Sequence, residues 1–413
     1  MNAGRHEGAR RWAKVGLLLV AAATGAAGCA SRTSPETKAP VEDTTGSAVA
    51  ATAFAQGAEV VEEVSLPELI EQAESALAAG EAARAVALFG RVLSQELSPE
   101  QAAPAWIGLA QAHEKLRDCL AAVRAYETYL DRFPDGEHAL VARARRGACE
   151  AELESWEQSA ATFHAIAEQP DLLPSVMVEA MAREGYALFM LDRLDEADER
   201  LRLADEIYER AVEEQTERFS NYYFIGMTRF YRAAIIHRRF RDVEIQPPEA
   251  AMERAFKAKV ELLVQAQDAY NHAISAKHVF WVSASGFQLG QLFSEFYDAL
   301  MYAPVPEWLD ARQREIYYAE LKEQLRPVMT KAIWVFEKNL ETARRLGYDN
   351  EFVARTEAKL GHLQAALLSE DATLGSPSMR ISRELDAEID APQPSTQGSA
   401  ADRKLFVPRP TPL

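Results

Sequence analysis

The stretch WIGLAQAHEKLRDCLAAVRAYETYLDRFP, residues 106–134, decides the fold. Trp106, Leu109 and Ala110 fall on one helical run, Ala122, Tyr126 and Tyr129 on a second, and Pro134 closes the unit. Four-residue steps such as Ala122 to Tyr126 keep side chains on one helix face. Small residues at Ala110 and Ala122 let two antiparallel helices approach closely, while Trp106, Tyr126 and Tyr129 fill the gap to a neighbouring unit. A hairpin of this kind cannot bury its apolar faces alone, so it predicts further copies stacked on either side.

Copies are present. Leu69, Ala73, Gly80, Ala85 and Phe89 form the first; Gly147, Trp156, Ser159 and Phe163 the third; Gly185, Leu194, Ala197 and Leu201 the fourth. The small residue of each first helix, at Ala73, Ala110, Gly147 and Gly185, recurs at spacings of 37, 37 and 38. Pro134 and Gly136 predict a helix stop and a turn between units. Residues 65–210 resemble the tetratricopeptide-repeat family, which implies an all-α helical-hairpin solenoid with protein partners. The segment Tyr126 to Gly136 also looks like helical outer-membrane lipoproteins that assist barrel assembly or bind envelope partners.

Beyond Ser220 the same signature stretches. A hydrophobe followed by glycine at Ile225-Gly226, Leu289-Gly290 and Leu360-Gly361 marks three more first helices, with second helices read at Ala266, Tyr270 and Ala273 and at Ala332 and Phe336. Glycine spacings of 64 and 71 predict long second helices and elaborated connections. Phe293, Phe296, Tyr297, Leu300, Met301 and Tyr302 take helical spacing before Ala303-Pro304-Val305-Pro306-Glu307-Trp308 ends the helix. Phe293, Phe296, Tyr297, Tyr302 and Trp308 form a candidate aromatic groove for a partner. The competing reading places the same stripe in the core between hairpins. Residues 220–365 are similar to envelope tetratricopeptide proteins of the myxobacterial gliding-motility machinery, which suggests a setting and not a mechanism.

The amino-terminal 28 residues have another character. Arg5, Arg10, Arg11 and Lys14 precede an apolar run from Val15 to Ala23, too short to span a bilayer and organised as a secretory signal. Gly25-Ala26-Ala27-Gly28-Cys29 resembles a lipobox, with Ala26 where that family prefers Leu, and the resemblance implies cleavage before Cys29 and lipidation of its thiol. Three acyl chains exceed what stable anchoring requires. Ala30 after the cysteine points, by the family's sorting habit, to the outer membrane. A plain cleaved signal, or one kept as an anchor, is the alternative. Arg10-Arg11 lacks the hydrophobic pair of a twin-arginine signal. Residues from Ser31 to about Glu63 are rich in Ala, Thr, Ser, Gly and Pro and predict a disordered tether reaching roughly 30 Å.

A net charge of −18 over 413 residues argues against nucleic-acid binding and favours basic partners. The three cysteines, Cys29, Cys119 and Cys149, lack zinc-site spacing. Cys119 and Cys149 sit in adjacent hairpins, where they either pair or serve as small buried apolar groups. No phosphate-cradling loop, nucleophile elbow or helical metal pair appears, so no catalytic residue, cofactor, metal or small-molecule substrate is expected. Ser283, Ser285 and Gly286 lie in an apolar helical run and read as packing residues. His272 and His278, six apart, do not share a helix face well. Asp192, Asp195, Glu196, Asp198 and Glu199 read as a solvated helix face.

The expected organisation is a signal peptide (1–28), a lipidated Cys29 with tether (29–64), regular repeats (65–215), a long-helix extension (216–369) and a disordered tail (370–413). Leu405-Phe406-Val407 in that tail is a candidate docking motif. The expected function is a non-enzymatic, membrane-anchored periplasmic scaffold for cell-envelope proteins. Alternatives are an accessory factor for outer-membrane protein or peptidoglycan assembly, or a ligand receptor using residues 293–308.

Overall fold

The computed structural model describes residues 64–305 and 309–372. The expectations for the signal, Cys29, the tether, Trp308 and Leu405-Phe406-Val407 lie outside the described residues. Thirteen α-helices are described: α1 (Leu66–Ala78), α2 (Ala82–Leu93), α3 (Pro99–Lys115), α4 (Cys119–Arg132), α5 (Ala139–Glu152), α6 (Trp156–Ala167), α7 (Pro174–Met190), α8 (Leu194–Glu213), α9 (Tyr223–Asp242), α10 (Glu249–Ser275), α11 (Val279–Met301), α12 (Ala311–Leu346) and α13 (Glu351–Ala372). Each helix packs on the next, and α1 on α3, α7 on α9, α9 on α11 and α11 on α13 also touch. The fold is therefore a tetratricopeptide-like array: odd-numbered helices form one layer, even-numbered helices the other, and α13 takes a place in the first layer.

Local sequence sets the helix limits. The Ser65 N–H donates to Glu68 at 3.1 Å and the Ser98 N–H to Gln101 at 3.1 Å, satisfying backbone donors that a helix start leaves free. Pro99 sits in the first turn, where its missing N–H costs nothing. The turn inside each of the first four hairpins is the same: Gly80, Arg117, Glu154 and Asp192 take positive φ, and the following N–H reaches back five residues, as Asp118 does to the His113 carbonyl at 3.0 Å and Arg193 to the Leu188 carbonyl at 3.0 Å. This left-handed closure consumes carbonyls the helix end would otherwise strand. A glycine meets the steric demand freely only at the first of these turns.

Packing follows the small-to-large rule that the sequence announces. A Cβ added at Gly147 would lie 2.9 Å from the Phe163 ring, at Gly185 2.5 Å from Leu201, and at Gly290 2.4 Å from the Phe336 ring. In each case a notch on the first helix receives the large side chain of its own second helix. Two glycines serve contacts between hairpins instead: Gly108 faces Phe89 of the preceding unit, and Gly226 faces Trp281 of the following first helix. The second helices expected beyond Ser220 form as read, with Ala266, Tyr270, Ala273, Ala332 and Phe336 fully buried.

The apolar interior is divided near the amino terminus and continuous towards the carboxyl terminus. Separate clusters serve the first three hairpins, whereas one core runs from Ala160 to Leu363. Along it the first-layer helices are joined by touching rings: Tyr186 to Tyr231 (5.0 Å between centroids), Tyr231 to Trp281 (5.9 Å), Trp281 to Phe280 (4.9 Å) and Phe280 to Phe352 (5.7 Å). Such pairs add about 0.5–1.5 kcal/mol each beyond area burial. Helix α12 is too long for this core: its first buried residue is Leu325 and Leu321 is the first to pack against the core, so residues 311–320 overhang the packed layer. Pro327 removes one backbone hydrogen bond close to where the overhang meets the packed part.

Gly290→Ala is expected to destabilise the chain by about 1–3 kcal/mol, because the Phe336 ring is fully enclosed and cannot withdraw. Gly361 has no neighbour within 4 Å of an added Cβ, so Gly361→Ala should instead gain up to about 1 kcal/mol of helix propensity. Urea denaturation of the two variants measures both, and equal effects would remove the notch from the account.

Candidate functional site

The aromatic segment expected as a groove resolves into two environments. Phe293, Phe296 and Tyr297, on α11, are buried in the continuous core, where Phe296 meets Phe240 (6.3 Å) and Phe256 (6.4 Å). They fill the space between hairpins and present no surface to a partner, so the groove reading is corrected to the core reading for these three. The physical reason is the neighbour: α9 and α10 close over the face of α11 that carries them. Tyr302, one residue past the end of α11, remains 42% exposed. Helix spacing identified a shared face and could not say what covers it.

Exposed apolar groups appear on α12. Ile316 is 58% exposed and Trp334 48% exposed. Eighteen residues are five turns, so the two side chains share one face of the helix. The Lys331 ammonium lies 4.3 Å from the Trp334 ring centroid, a cation–π contact that braces the indole in the open. Tyr318 is a further exposed ring on the overhang. None of these was singled out from the sequence; the available signal was a helix whose amino-terminal half, from Ala311 to Gln324, has few apolar residues to match a core.

Beside the core aromatics lies a buried polar network. His237, with no exposed surface, approaches Tyr270 Oη at 3.1 Å through Nδ1 and Glu295 Oε2 at 3.1 Å through Nε2. A neutral ring protonated on Nε2 satisfies both contacts. Arg241 grips the Glu295 carboxylate with two donors, the Nε–H at 2.8 Å, and the Gln291 amide adds a third at 3.0 Å. Burial opposes the Glu295 charge, but Arg241 and His237 outweigh it and hold the carboxyl well below its ordinary range. Burial lowers the His237 pKa, with Arg241 and Lys259 adding to the effect and Glu295 opposing it. Lys259 donates to the Phe240 carbonyl at 2.7 Å, and its own burial pushes it down to about 8. A His–Glu pair resembles catalytic machinery, yet here each group spends its hydrogen bonds on the next and the imidazole is sealed from solvent. The network ties α9, α10 and α11 together.

A second charge system joins α8 to α9. Asp195 meets Arg239 at 2.7 Å, Asp192 meets Arg238 at 3.6 Å, and Asp198 meets Arg232 at 3.5 Å. The acidic run expected as a solvated face is thus also an inter-helix zipper. Its exposed pairs contribute little each, about 0–1 kcal/mol. Asp205, Glu209 and His272 bring ligand atoms within 4.8 Å of one another. Arg229 Nε sits 2.8 Å from Asp205, Arg232 3.2 Å from the same carboxylate, and Arg229 also pairs with Glu209, so guanidinium groups already neutralise this donor set. Ser283 and Ser285 are buried in α11, as packing residues would be. None of the described helices is long and apolar enough to cross a membrane.

No family model matches the chain, and no curated protein matches it. Solved structures do. The chain is similar to a tetratricopeptide repeat protein from Parabacteroides merdae (14% identity, TM-score 0.35, 70% of this chain and 96% of that chain). It is also similar to a TPR repeats protein from Bacteroides fragilis (13% identity, TM-score 0.29, 64% and 98%) and to yeast Tom70 (12% identity, TM-score 0.25, 79% and 76%). The fold assignment rests on the hairpin geometry within the chain itself.

Glu295→Gln is expected to lower unfolding free energy by about 2 kcal/mol by leaving Arg241 without its charge partner. His237 and Glu295 both have depressed pKa values in the folded state, so each contributes stability that is present above its unfolded pKa and lost on acidification. Stability should fall as pH drops below about 6.5, where His237 begins to bind a proton on unfolding, and again below about 4.3 for Glu295. Urea midpoints of the parent and variant from pH 8 down to about pH 2 test this, and the lower step should shrink in Glu295→Gln.

Proposed function

We propose that this chain is a non-enzymatic scaffold that holds protein partners from a bacterial membrane. The single observation that carries the scaffold reading is the array itself: hairpin on hairpin, polar groups consumed in joining helices, and an overhanging α12 that presents Ile316 and Trp334 to solvent. A repeat array of this type offers extended surface and no enclosed reaction chamber. The contact surface is the outer face of α12, in place of Phe293, Phe296 and Tyr297. With a net charge of −18, the chain favours a partner whose surface is basic around an apolar centre.

The membrane part of the reading is supported by the lipobox-like run ending at Cys29 and by the tether that follows it. Ala30 supports the outer membrane, and the resemblance of residues 220–365 to envelope proteins of gliding motility supports an envelope assembly as the setting. Lipidated Cys29 would hold the array at the periplasmic face, within a tether's reach of its partners.

Two experiments separate the claims. Cys29→Ser is expected to move the full-length protein from the membrane to the soluble fraction; a variant that still sediments with membranes removes the anchor. For the surface, chemical crosslinking in cells followed by affinity capture should recover a partner with the parent chain. The recovery should drop at least tenfold with Ile316→Asp combined with Trp334→Ala, at an unchanged thermal midpoint. Equal recovery would place the contact elsewhere.

A further inference from the structure

Cys119 and Cys149 occupy the seam between the second and third hairpins. Cys119 is the first residue of α4, whose preceding Asp118 caps the helix by accepting the Ala121 N–H at 3.1 Å. Cys149 lies in the last turn of α5 and is 4% exposed. Both are free thiols, and both pack in the cluster built on Ala110, Ala122, Tyr126 and Tyr129, where α4 lies against α5. The Cys149 thiol also donates to Glu114 Oε1 at 3.6 Å, while Glu114 Oε2 accepts from Arg145 Nη1 at 2.6 Å. A merely space-filling cysteine has no need of a carboxylate beside its sulfur. Here a partly exposed thiol, a buried thiol and a carboxylate held by Arg145 meet at one seam.

We propose that Cys119 and Cys149 are a dithiol site that exchanges with an external disulfide and closes into a covalent staple between adjacent hairpins. The Cys119 thiolate attacks the external disulfide, forming a mixed disulfide and releasing one external thiolate, which takes up the Cys119 proton. Cys149 then passes its proton to Glu114, and its sulfur attacks Cys119 Sγ. The bond from Cys119 to the external sulfur breaks, and the second external thiolate leaves with the proton held on Glu114. Two protein thiols are oxidised by two electrons, and one external disulfide is reduced to two thiols. Order is set by access, since Cys119 is the more open of the pair.

The environment makes the site selective. Burial raises both thiols above their usual range, and Glu114, with Glu152 near Cys119, acts in the same direction, while Arg117 beside Cys119 acts against it. Tyr126 and Arg145 complete the set of titratable groups around Glu114. Closure therefore depends on proton removal by Glu114. Once closed, the bond spans residues 119–149 and fixes the angle between two units of the array.

The test uses the full-length chain carrying Cys29→Ser, in which the pair holds the only thiols. After incubation with oxidised glutathione and quenching with N-ethylmaleimide, intact mass should show loss of two hydrogens, no maleimide and no retained glutathione, with a thermal midpoint raised by several degrees. In the same background Cys149→Ser should stop at a glutathione adduct on Cys119, and Cys119→Ser should remain unmodified. Glu114→Gln should form the adduct no more slowly than the parent and close at least tenfold more slowly, with the difference in closure shrinking as pH rises. Two maleimides on the treated parent, a persistent adduct, or modification of Cys149 in the Cys119→Ser chain would each overturn the proposal. An unchanged closure rate in Glu114→Gln would remove Glu114 from it.

Discussion

Everything in this array depends on a glycine-sized notch meeting a large side chain. Where Gly147 receives Phe163, Gly185 receives Leu201 and Gly290 receives Phe336, two helix backbones come together at a distance that a single added carbon would prevent. Full burial of one phenylalanine contributes about 1.5–3 kcal/mol, so a handful of these interlocks sets both the stability and the pitch of the stack. The positive-φ turns at Gly80, Arg117, Glu154 and Asp192 recur at the same intervals as the small residues Ala73, Ala110, Gly147 and Gly185. Turn and notch are thus two views of one repeat.

The two halves of the chain use this interlock differently. Near the amino terminus the helices are short, the clusters are separate, and each hairpin stands mainly on its neighbours. From Ala160 onwards the rings of Tyr186, Tyr231, Trp281, Phe280 and Phe352 touch from one first-layer helix to the next, and the core becomes one body. His237, Glu295, Arg241 and Tyr270 join three helices of the carboxyl-terminal half, and no charge system of comparable depth is found among the described residues of the first hairpin.

Much of this was legible in the sequence, and the limit of legibility has a physical cause. Periodicity tells which residues share a helix face, which is why Ala122 with Tyr126 and Ala332 with Phe336 read correctly as second helices 210 residues apart. It does not tell which element covers that face. Phe293, Phe296 and Tyr297 were therefore open to a groove or a core reading until α9 and α10 were placed over them. Gly226 reads as the mark of a first helix, but the sequence does not say that it meets Trp281, because that partner is chosen by stacking between units. The acidic run from Asp192 to Glu199 looked solvated because its arginine partners, Arg232, Arg238 and Arg239, stand some forty residues away.

The overhang of α12 follows from the interlock once the helix is treated as a screw. One residue inserted within a packed helix turns everything beyond it by about 100°, and every notch past that point loses its partner. Residues added at a free end turn nothing. α10 and α12, at 27 and 36 residues, outgrow the 12 to 14 residues of α2, α4 and α6, and in α12 much of the excess lies before Leu325. The array therefore behaves as a threaded rod with plain ends: its pitch is locked along the thread, and length can be changed only where no thread is cut.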